Sequence, residues 1–255
     1  MCGRYANYHA HDAVVKAFGI DQLEGLCGPS WNVAPTQTVS IVVDDAAPHP
    51  PDNPSPASGS RLARTARWGL LPAWVNDPKA FPLLINARSE TVTSKPAFRT
   101  AAARRRALVV ASGYYEWRVE GDGSKQPYYL APTAGDPLGF AGLYEWWRAP
   151  SSGGNQRSQQ TQEHLKDQVE HWICTVTIIT RSAADSLGYV HDRMPVVVPP
   201  DAISAWLDPD MTDRAGVEGL LRAMPAPNLV PRRVSKAVNS VRHDSPELIE
   251  PLTGP

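Results

Sequence analysis

Residues Ala107–Arg118 have the sequence ALVVASGYYEWR, which is rich in β-branched and aromatic residues and predicts a β-strand. Short helices are predicted at Asp12–Phe18, Lys95–Arg105, Ala183–Leu187, Ala202–Leu207 and Val217–Met224. Many strands with scattered short helices indicate an α+β fold with a mixed, mostly antiparallel, barrel-like β core and short peripheral helices. The other strand candidates are similar in composition and are bounded by Gly, Pro or Asp: Thr38–Val43, Ala66–Leu71, Leu83–Ser89, Pro127–Ala131, Leu138–Trp147, Trp172–Thr180 and Met194–Val198.

The length and the composition favour one domain. With 255 residues, of which 42% are apolar, the chain can form one sizeable hydrophobic core. A Pro/Ser-rich stretch at about residues 46–60 and a Gly/Ser/Gln-rich stretch within about residues 149–168 lie between strand candidates, so we interpret both as loop insertions. We therefore expect a single domain over residues 1–255.

The charge of the chain is nearly balanced but unevenly distributed. The formal net charge is -1, which gives no general sign of a nucleic-acid-binding protein. Residues 61–125 nevertheless carry twelve Lys and Arg against five Asp and Glu. Such a basic segment is what a local phosphate-binding surface requires, although a solvated, salt-bridged surface has the same composition.

The cysteines and the hydropathy indicate the compartment. Three widely spaced cysteines, Cys2, Cys27 and Cys174, form no CxxC pair, which argues against a disulfide framework and against a structural zinc site. The polar start MCGRYANYHAHD has no signal-peptide pattern, and no apolar run approaches the ~20 residues of a membrane span. We expect a soluble, cytoplasmic protein.

Cys2 combines two reactive groups once Met1 is removed, as is general when the second residue is small. Its α-amine and thiol have ordinary pKa values of about 7.7–8.0 and about 8.5, so both are partly nucleophilic near neutral pH. A 1,2-aminothiol traps an aldehyde, because the amine forms a Schiff base and the thiol then closes a five-membered thiazolidine ring. Gly3 lets the backbone enter a tight site, whereas a frayed terminus is the alternative interpretation.

Four other segments carry side chains suited to chemistry. Asn86 and Arg88 end a strand candidate, where an amide can hold a hydroxyl and a guanidinium can hold a phosphate, unless this is a solvated strand end. Glu116 lies among aromatic residues that would raise its pKa for acid–base work, unless it faces outward. A lone histidine is more often structural than catalytic, but His191 has an acid and an arginine beside it on a loop entering a strand, which raises the odds of a catalytic role. Trp68 is either part of the core or a platform for stacked bases.

Eight motifs follow one another along the chain. They are MCGRYA at the N-terminus, WNVAPTQ at Trp31–Gln37, RWGLLPAW at Arg67–Trp74, INARSET at Ile85–Thr91, FR at Phe98–Arg99, ASGYYEW at Ala111–Trp117, FAGLYEW at Phe140–Trp146 and HDRMPVVV at His191–Val198. In combination and order they resemble the SOS response-associated peptidase (SRAP) family, whose members are abasic-site processing proteins. The resemblance covers Met1 to about Glu250 and implies the SRAP fold, a role in DNA repair after damage, and no metal or organic cofactor.

The resemblance implies a role for each matching residue. Cys2 would form the covalent bond to an abasic site in single-stranded DNA, and Asn86 would position the N-terminus and the sugar. Glu116 would assist sugar opening and proton transfers, and His191 would act as an acid or base on the ring oxygen or its hydroxyl. The DNA-binding residues would be Arg4, Arg88, Arg99 and Arg193, together with Trp68 packed against bases.

We therefore predict a DNA–protein crosslinking activity that protects abasic sites through a thiazolidine on Cys2, with lyase-like Schiff-base chemistry. The protein would be a monomer by default, and nucleoid-associated when it is on DNA. One alternative is an N-terminal-nucleophile cysteine peptidase or amidohydrolase, with Cys2, His191 and Asn86 as nucleophile, base and orienting residue. Autocatalytic removal of Met1 would also explain a peptidase assignment. A second alternative is a non-covalent reader of modified or single-stranded DNA that uses the same cleft.

Overall fold

The computed structural model describes residues 2–44, 60–149, 172–183 and 189–252, and over these residues the chain forms thirteen β-strands and four α-helices. The helices are α1 (His11–Phe18), α2 (Arg99–Arg104), α3 (Ile203–Leu207) and α4 (Arg214–Ala223), and 3₁₀ turns lie at Pro200–Ala202, Lys236–Asn239 and Pro246–Ile249. The strands are β1 (Arg4–Asn7), β2 (Gln22–Leu23), β3 (Ser30–Val33), β4 (Thr38–Asp44), β5 (Arg61–Trp68), β6 (Asn86–Arg88), β7 (Arg106–Ala111), β8 (Gly113–Val119), β9 (Lys125–Ala131), β10 (Leu138–Arg148), β11 (Trp172–Ser182), β12 (Arg193–Pro195) and β13 (Val230–Arg233).

Five of the strands close into a barrel, in the order β11, β10, β7, β4 and β5. Neighbouring strands are antiparallel, except that β5 runs parallel to β11 and so completes the ring. Because side chains alternate along a strand, Val39, Ile41 and Val43 of β4 join the cluster that fills the barrel, while Val42 joins the cluster outside it. Both faces of this sheet are therefore apolar, which explains the nearly continuous apolar runs in its strands.

The outside of the barrel is covered by the helices. Trp206 of α3 is fully buried, and its indole Nε1 donates to the carbonyl oxygen of Ala107 at 2.9 Å. Arg106 holds the same helix, because its guanidinium donates to the carbonyl oxygens of Trp206 and Asp208. Val217 places α4 in the same outer cluster. The helices therefore cover the outer face of the barrel.

This second sheet has five strands in the order β13, β9, β8, β1 and β3, and it includes the N-terminal segment. The chain passes into it between β7 and β8. Gly113, the first residue of β8, lies so close to Tyr129 of β9 that a Cβ atom would be 2.5 Å from the ring, so the crossing requires glycine. β1 is antiparallel to β8, which places the residues preceding β1 beside the second half of β8.

The predicted α+β class with a barrel-like, mostly antiparallel core is confirmed. The single strand predicted at Ala107–Arg118 is wrong, because the chain changes sheets at Ser112 and forms β7 and β8. The predicted insertions at about residues 46–60 and 149–168, and most of the predicted helix Ala183–Leu187, lie outside the described residues. Within the described ranges no helix is long and apolar enough to cross a membrane.

Candidate functional site

Cys2 is held in place by Asn86 of strand β6. Cys2 lies two residues before β1 begins, and its side chain is fully buried. Asn86, the first residue of β6, donates from Nδ2 to the Cys2 carbonyl oxygen at 2.9 Å. β6 is itself fixed by parallel pairing with β11, where Asn86 lies opposite Ile178. A frayed N-terminus is therefore excluded at this position.

Glu116 is a buried carboxyl group in β8, with 3% of its surface exposed, so the outward-facing alternative is excluded. Burial raises the pKa of this carboxyl group above its ordinary value of 4.5, although the positive charge of the N-terminal amine and, after it, that of His191 oppose the shift. Burial also raises the pKa of the Cys2 thiol well above its ordinary value; an ionised Glu116 raises it further, and the N-terminal amine lowers it. Burial therefore shifts both groups towards their neutral, protonated forms.

His191 approaches Glu116 from the loop before β12, with its Nε2 atom 4.0 Å from Glu116 Oε2. Its Nδ1 atom lies 3.0 Å from the backbone nitrogen of Arg193 and 2.8 Å from Asp192 Oδ1. These contacts require opposite roles, because Nδ1 accepts from the amide but would have to donate to the carboxylate. Asp192 is 85% exposed and can turn into solvent, whereas the amide is fixed in β12, so we assign Nδ1 as the acceptor. The proton of the neutral imidazole is then on Nε2, which faces Glu116.

Asn86 is thus hydrogen-bonded to Cys2, His191 lies 4.0 Å from Glu116, and the charge of Glu116 acts on the Cys2 thiol, although the four residues come from four separate parts of the chain. Asn86 Oδ1 is buried and accepts no hydrogen bond from any residue that the structure describes. An unsatisfied buried acceptor is costly, so this oxygen is suited to bind a donor supplied by a ligand. No group of three His, Cys, Asp or Glu side chains within the described part of the chain could hold a metal ion.

A cleft of about 530 Å³ opens beside Glu116 and His191. Trp117 is oriented in its wall by a hydrogen bond of 2.7 Å from its indole Nε1 to Asn239 Oδ1. The wall therefore combines an aromatic ring and a positive charge with the acid–base pair. The complete lining consists of Glu116, Trp117, Val119, Lys125, His191 and Asn239.

Two of the residues predicted to contact DNA make hydrogen bonds within the protein. Trp68 has 0% exposure, because its ring packs on Tyr5 inside the core and its Nε1 donates to the Ile85 carbonyl oxygen at 3.0 Å. It offers no face to a base. Arg4 is partly buried, and its guanidinium donates to Asn32 Oδ1 at 2.6 Å and to backbone carbonyl oxygens of the 3₁₀ turn at Lys236–Asn239. Arg4 therefore fastens the C-terminal part of the chain to β1.

Arg193 is positioned at the predicted site but is already paired. Its guanidinium forms a bidentate ion pair with Glu90, at 2.7 and 3.1 Å, and donates to the Thr180 carbonyl oxygen at 2.6 Å. A phosphate would have to replace Glu90 to bind there. Arg88 and Arg99 are exposed, at the end of β6 and the start of α2, and we find no hydrogen bond or ion pair between either side chain and another described residue.

Several residues of the cleft are not predicted by the sequence. Lys125 and Asn239 lie outside the eight motifs, and the pairing of β8 with β9 and the fold of the C-terminal segment bring them here. Trp117 lies within a motif, but nothing in the sequence distinguishes its partly buried position from the fully buried position of Tyr115. In each case only the three-dimensional structure shows that the residue lines the cleft.

Comparisons with known proteins agree with the geometry of the fold. A family model described as SOS response associated peptidase (SRAP) matches residues 1–241. A Bacillus subtilis protein named abasic site processing protein YoqW is 34% identical over 252 residues, which cover 98% of this chain and 99% of that protein. Abasic site processing protein HMCES of Gallus gallus is 30% identical over 90% of this chain and 68% of that protein. A crystal structure of a Bacteroides thetaiotaomicron protein has the same fold, with a TM-score of 0.72 at 20% identity over 97% of this chain and 99% of that chain.

Proposed function

The chain belongs to the SOS response associated peptidase (SRAP) family, and we propose that it processes abasic sites in single-stranded DNA by bonding covalently to them through Cys2. The names of its relatives support the substrate, since both YoqW and HMCES are called abasic site processing proteins. The hydrogen bond from Asn86 to the Cys2 carbonyl oxygen supports the proposal most directly, because it fixes the backbone of the residue that would carry both nucleophiles.

The proposed reaction begins when removal of Met1 leaves the α-amine and the thiol of Cys2 on one residue. An abasic deoxyribose in its open form presents an aldehyde. The amine nitrogen bonds to the aldehyde carbon, and water leaves as the C=N bond of the Schiff base forms. The thiol sulfur then bonds to the same carbon and its proton passes to the nitrogen, which closes the thiazolidine ring. No oxidant or reductant is required.

Glu116 and His191 would move the protons in this sequence. Because burial favours the neutral carboxylic acid, Glu116 is a donor that can protonate the ring oxygen as the sugar opens or the hydroxyl that leaves as water. Its carboxylate would then take the proton of the Cys2 thiol, whose own pKa is raised. His191 would relay protons between Glu116 and the sugar, because its Nε2 faces the carboxyl group.

Asn86 would bind the sugar as well as the protein. Its Nδ2 is occupied by the Cys2 carbonyl oxygen, while its buried Oδ1 has no partner in the described residues and can accept a hydrogen bond from the sugar or from the Cys2 amine. One side chain would thus hold both reactants, which reduces the entropy lost in bringing them together.

The electrostatics of Cys2 do not favour the cysteine-hydrolase alternative. A hydrolytic cysteine requires a thiolate, which neighbouring positive charge stabilises by lowering the thiol pKa. Here burial is the largest influence and raises the thiol pKa, which ends well above its ordinary value although the positive charge of the N-terminal amine lowers it. A thiol that adds to a Schiff base in the second step, with Glu116 as the base, does not need to be ionised beforehand.

The DNA strand would follow the cleft beside Glu116, with Lys125 and Arg88 near its phosphates and Trp117 beside a base. Arg99 would contact the strand farther from the lesion. Arg193 would contact a phosphate only after that phosphate replaced Glu90. These contacts bind any sequence, as a protein that responds to a missing base requires.

The test is to incubate the protein with a single-stranded oligonucleotide that carries one abasic site and to separate the products on a denaturing gel. Wild-type protein should form a band that resists denaturation, and Cys2→Ala should not. Cys2→Ser keeps the amine, so its Schiff base should appear only after borohydride reduction. An oligonucleotide without the lesion is the control. Equal crosslinking by Cys2→Ala would refute the proposal, and binding without any covalent product would favour the non-covalent reader.

A further inference from the structure

An exposed aromatic side chain lies beside the acid–base pair. Tyr189 is 57% exposed and precedes His191 by two residues, on the loop that reaches over β8. An aromatic ring with more than half of its surface in water forgoes much of the favourable free energy of burial. His191, two residues later in the chain, lines the cleft.

The ring of Tyr189 is held by two contacts rather than left free to turn. The guanidinium carbon of Arg118 lies over the ring, 3.8 Å from its centroid, which is a close cation–π contact. The ring of Tyr128 meets it at 6.4 Å with an interplanar angle of 90°. Since the guanidinium covers one face, the exposed surface of Tyr189 includes the opposite face.

The strand register places the Tyr189 ring over a position two residues from Glu116 on β8. Glu116 and Arg118 are two residues apart on β8 and therefore point to the same face of the sheet, about 6.8 Å apart. Tyr128 is directly opposite Glu116 on β9 and shares that face. His191 lies over Glu116, and Tyr189 lies over Arg118. A group bound on Tyr189 is thus about one nucleotide away from a sugar at Glu116.

We propose that the exposed face of Tyr189, backed by Arg118, is a stacking subsite for the nucleobase adjacent to the abasic site. This inference rests on the proposed function, because it assumes that the lesion sugar binds at Glu116. A base that loses its neighbour in the strand loses a stacking partner on that side. The Tyr189 ring replaces that partner, and the positive charge of Arg118 lies close to the phosphate that joins the base to the lesion.

The features of the patch favour a nucleic acid as its occupant. Aromatic rings accept any base, because every base has a flat face, and guanidinium groups add both charge and stacking. Lys125 and Trp117 line the neighbouring cleft and add a positive charge and an aromatic ring there. An apolar peptide would gain nothing from these charges.

The experiment removes the ring and the base separately. Equilibrium affinity is measured by fluorescence anisotropy in a Cys2→Ala background, with a labelled single strand that carries a tetrahydrofuran in place of the abasic sugar. Tyr189→Ala should weaken binding by about tenfold, equivalent to about 1.4 kcal/mol. When the neighbouring nucleotide on the 5′ or on the 3′ side is also a tetrahydrofuran, the loss caused by Tyr189→Ala should disappear for one of the two sides. Tyr189→Phe should retain most of the affinity that Tyr189→Ala loses.

Two controls keep the result interpretable. Leu23→Ala removes an exposed apolar side chain from β2, at the far edge of the other sheet, and should leave the affinity unchanged. Thermal melting should show that Tyr189→Ala remains folded. The subsite is refuted if Tyr189→Ala binds as tightly as its parent, or if it loses the same factor on every strand, since the ring would then serve only to cover Arg118. Crosslinking by the wild-type protein tests the proposed function separately, because the affinity measurement involves no covalent step.

Discussion

Replacement of Glu116 by Gln should remove a loss of folding stability that the wild-type protein undergoes as the pH rises, because Glu116 is buried. A carboxyl group whose pKa is raised in the folded state binds its proton more tightly there than in the unfolded chain. The stability it contributes is complete below its ordinary pKa of 4.5 and is lost as the pH rises through the raised value. Gln keeps the shape of the neutral acid and cannot ionise, so Glu116→Gln lacks this loss.

The magnitude follows from the linkage relation. In the window between 4.5 and the raised pKa of Glu116, the wild-type free energy of unfolding should fall relative to that of Glu116→Gln by about 1.4 kcal/mol per pH unit, and the difference should become constant above the window. With 3% of its surface exposed, Glu116 is shielded from solvent screening. The amide variant should therefore be the more stable protein near neutral pH, even as it loses crosslinking activity.

Urea denaturation followed by tryptophan fluorescence, at several pH values from about 3 to 8, measures this difference. Glu218→Gln is a control of opposite sign, because hydrogen bonds from Thr93 and Arg214 lower the pKa of the partly exposed Glu218 carboxyl group. There the wild type should gain stability over the variant as the pH rises through the lowered pKa towards 4.5. A pH-independent difference for Glu116→Gln, or a wild type that gains on it as the pH rises, would show that Glu116 is not held as a neutral acid.

Three further predictions concern separate parts of the structure. Asn86→Ala removes the hydrogen bond that fixes the N-terminal segment. The rate of crosslinking, measured from time courses, should fall by about tenfold, the equivalent of one hydrogen bond of ~1.4 kcal/mol. An unchanged rate would show that Asn86 has no part in the reaction. Gly113→Ala should lower the free energy of unfolding by about 1–3 kcal/mol, because the added Cβ overlaps the Tyr129 ring. Gly219→Ala should not, because a Cβ there meets nothing within 4 Å. Equal effects of the two substitutions would contradict the close packing of Tyr129 on Gly113. Glu90→Gln should free Arg193 for a phosphate and steepen the log–log salt dependence of DNA binding by about 0.7, and a shallower slope would argue against that contact.

Much of the fold is predictable because most strands of the barrel have apolar residues on both faces. Leu138–Trp147 and Trp172–Thr180 match β10 and β11 closely for this reason. The division of Ala107–Arg118 is not predictable, because it depends on a close approach of the Tyr129 ring to Gly113 that exists only after β9 has paired. β1 is short and polar at its start, and its strand conformation comes from its two neighbours rather than from its own composition.

The candidate site divides in the same way. The chemistry of an aminothiol and a carboxyl group among aromatic residues identifies Cys2 and Glu116 from the sequence, and the burial of both agrees with that interpretation. Trp68 and Arg4 belong to motifs of the same family, yet the Trp68 indole and the Arg4 guanidinium form their hydrogen bonds within the protein. A motif can contain residues that pack as well as residues that bind a ligand, and only their contacts distinguish the two. Tyr189 shows the converse, since nothing in the sequence marks it as exposed.

The most direct test of the aminothiol mechanism is mass spectrometry of the crosslinked N-terminal peptide. The protein is reacted with a single strand that carries one abasic site, and both the protein and the DNA are then digested. The N-terminal peptide should lack Met1 and should carry the deoxyribose remnant on Cys2. Its thiol should resist alkylation and its amine should resist acylation, because a thiazolidine occupies both. A remnant attached to any other residue, or a crosslinked peptide that retains Met1, would contradict the mechanism.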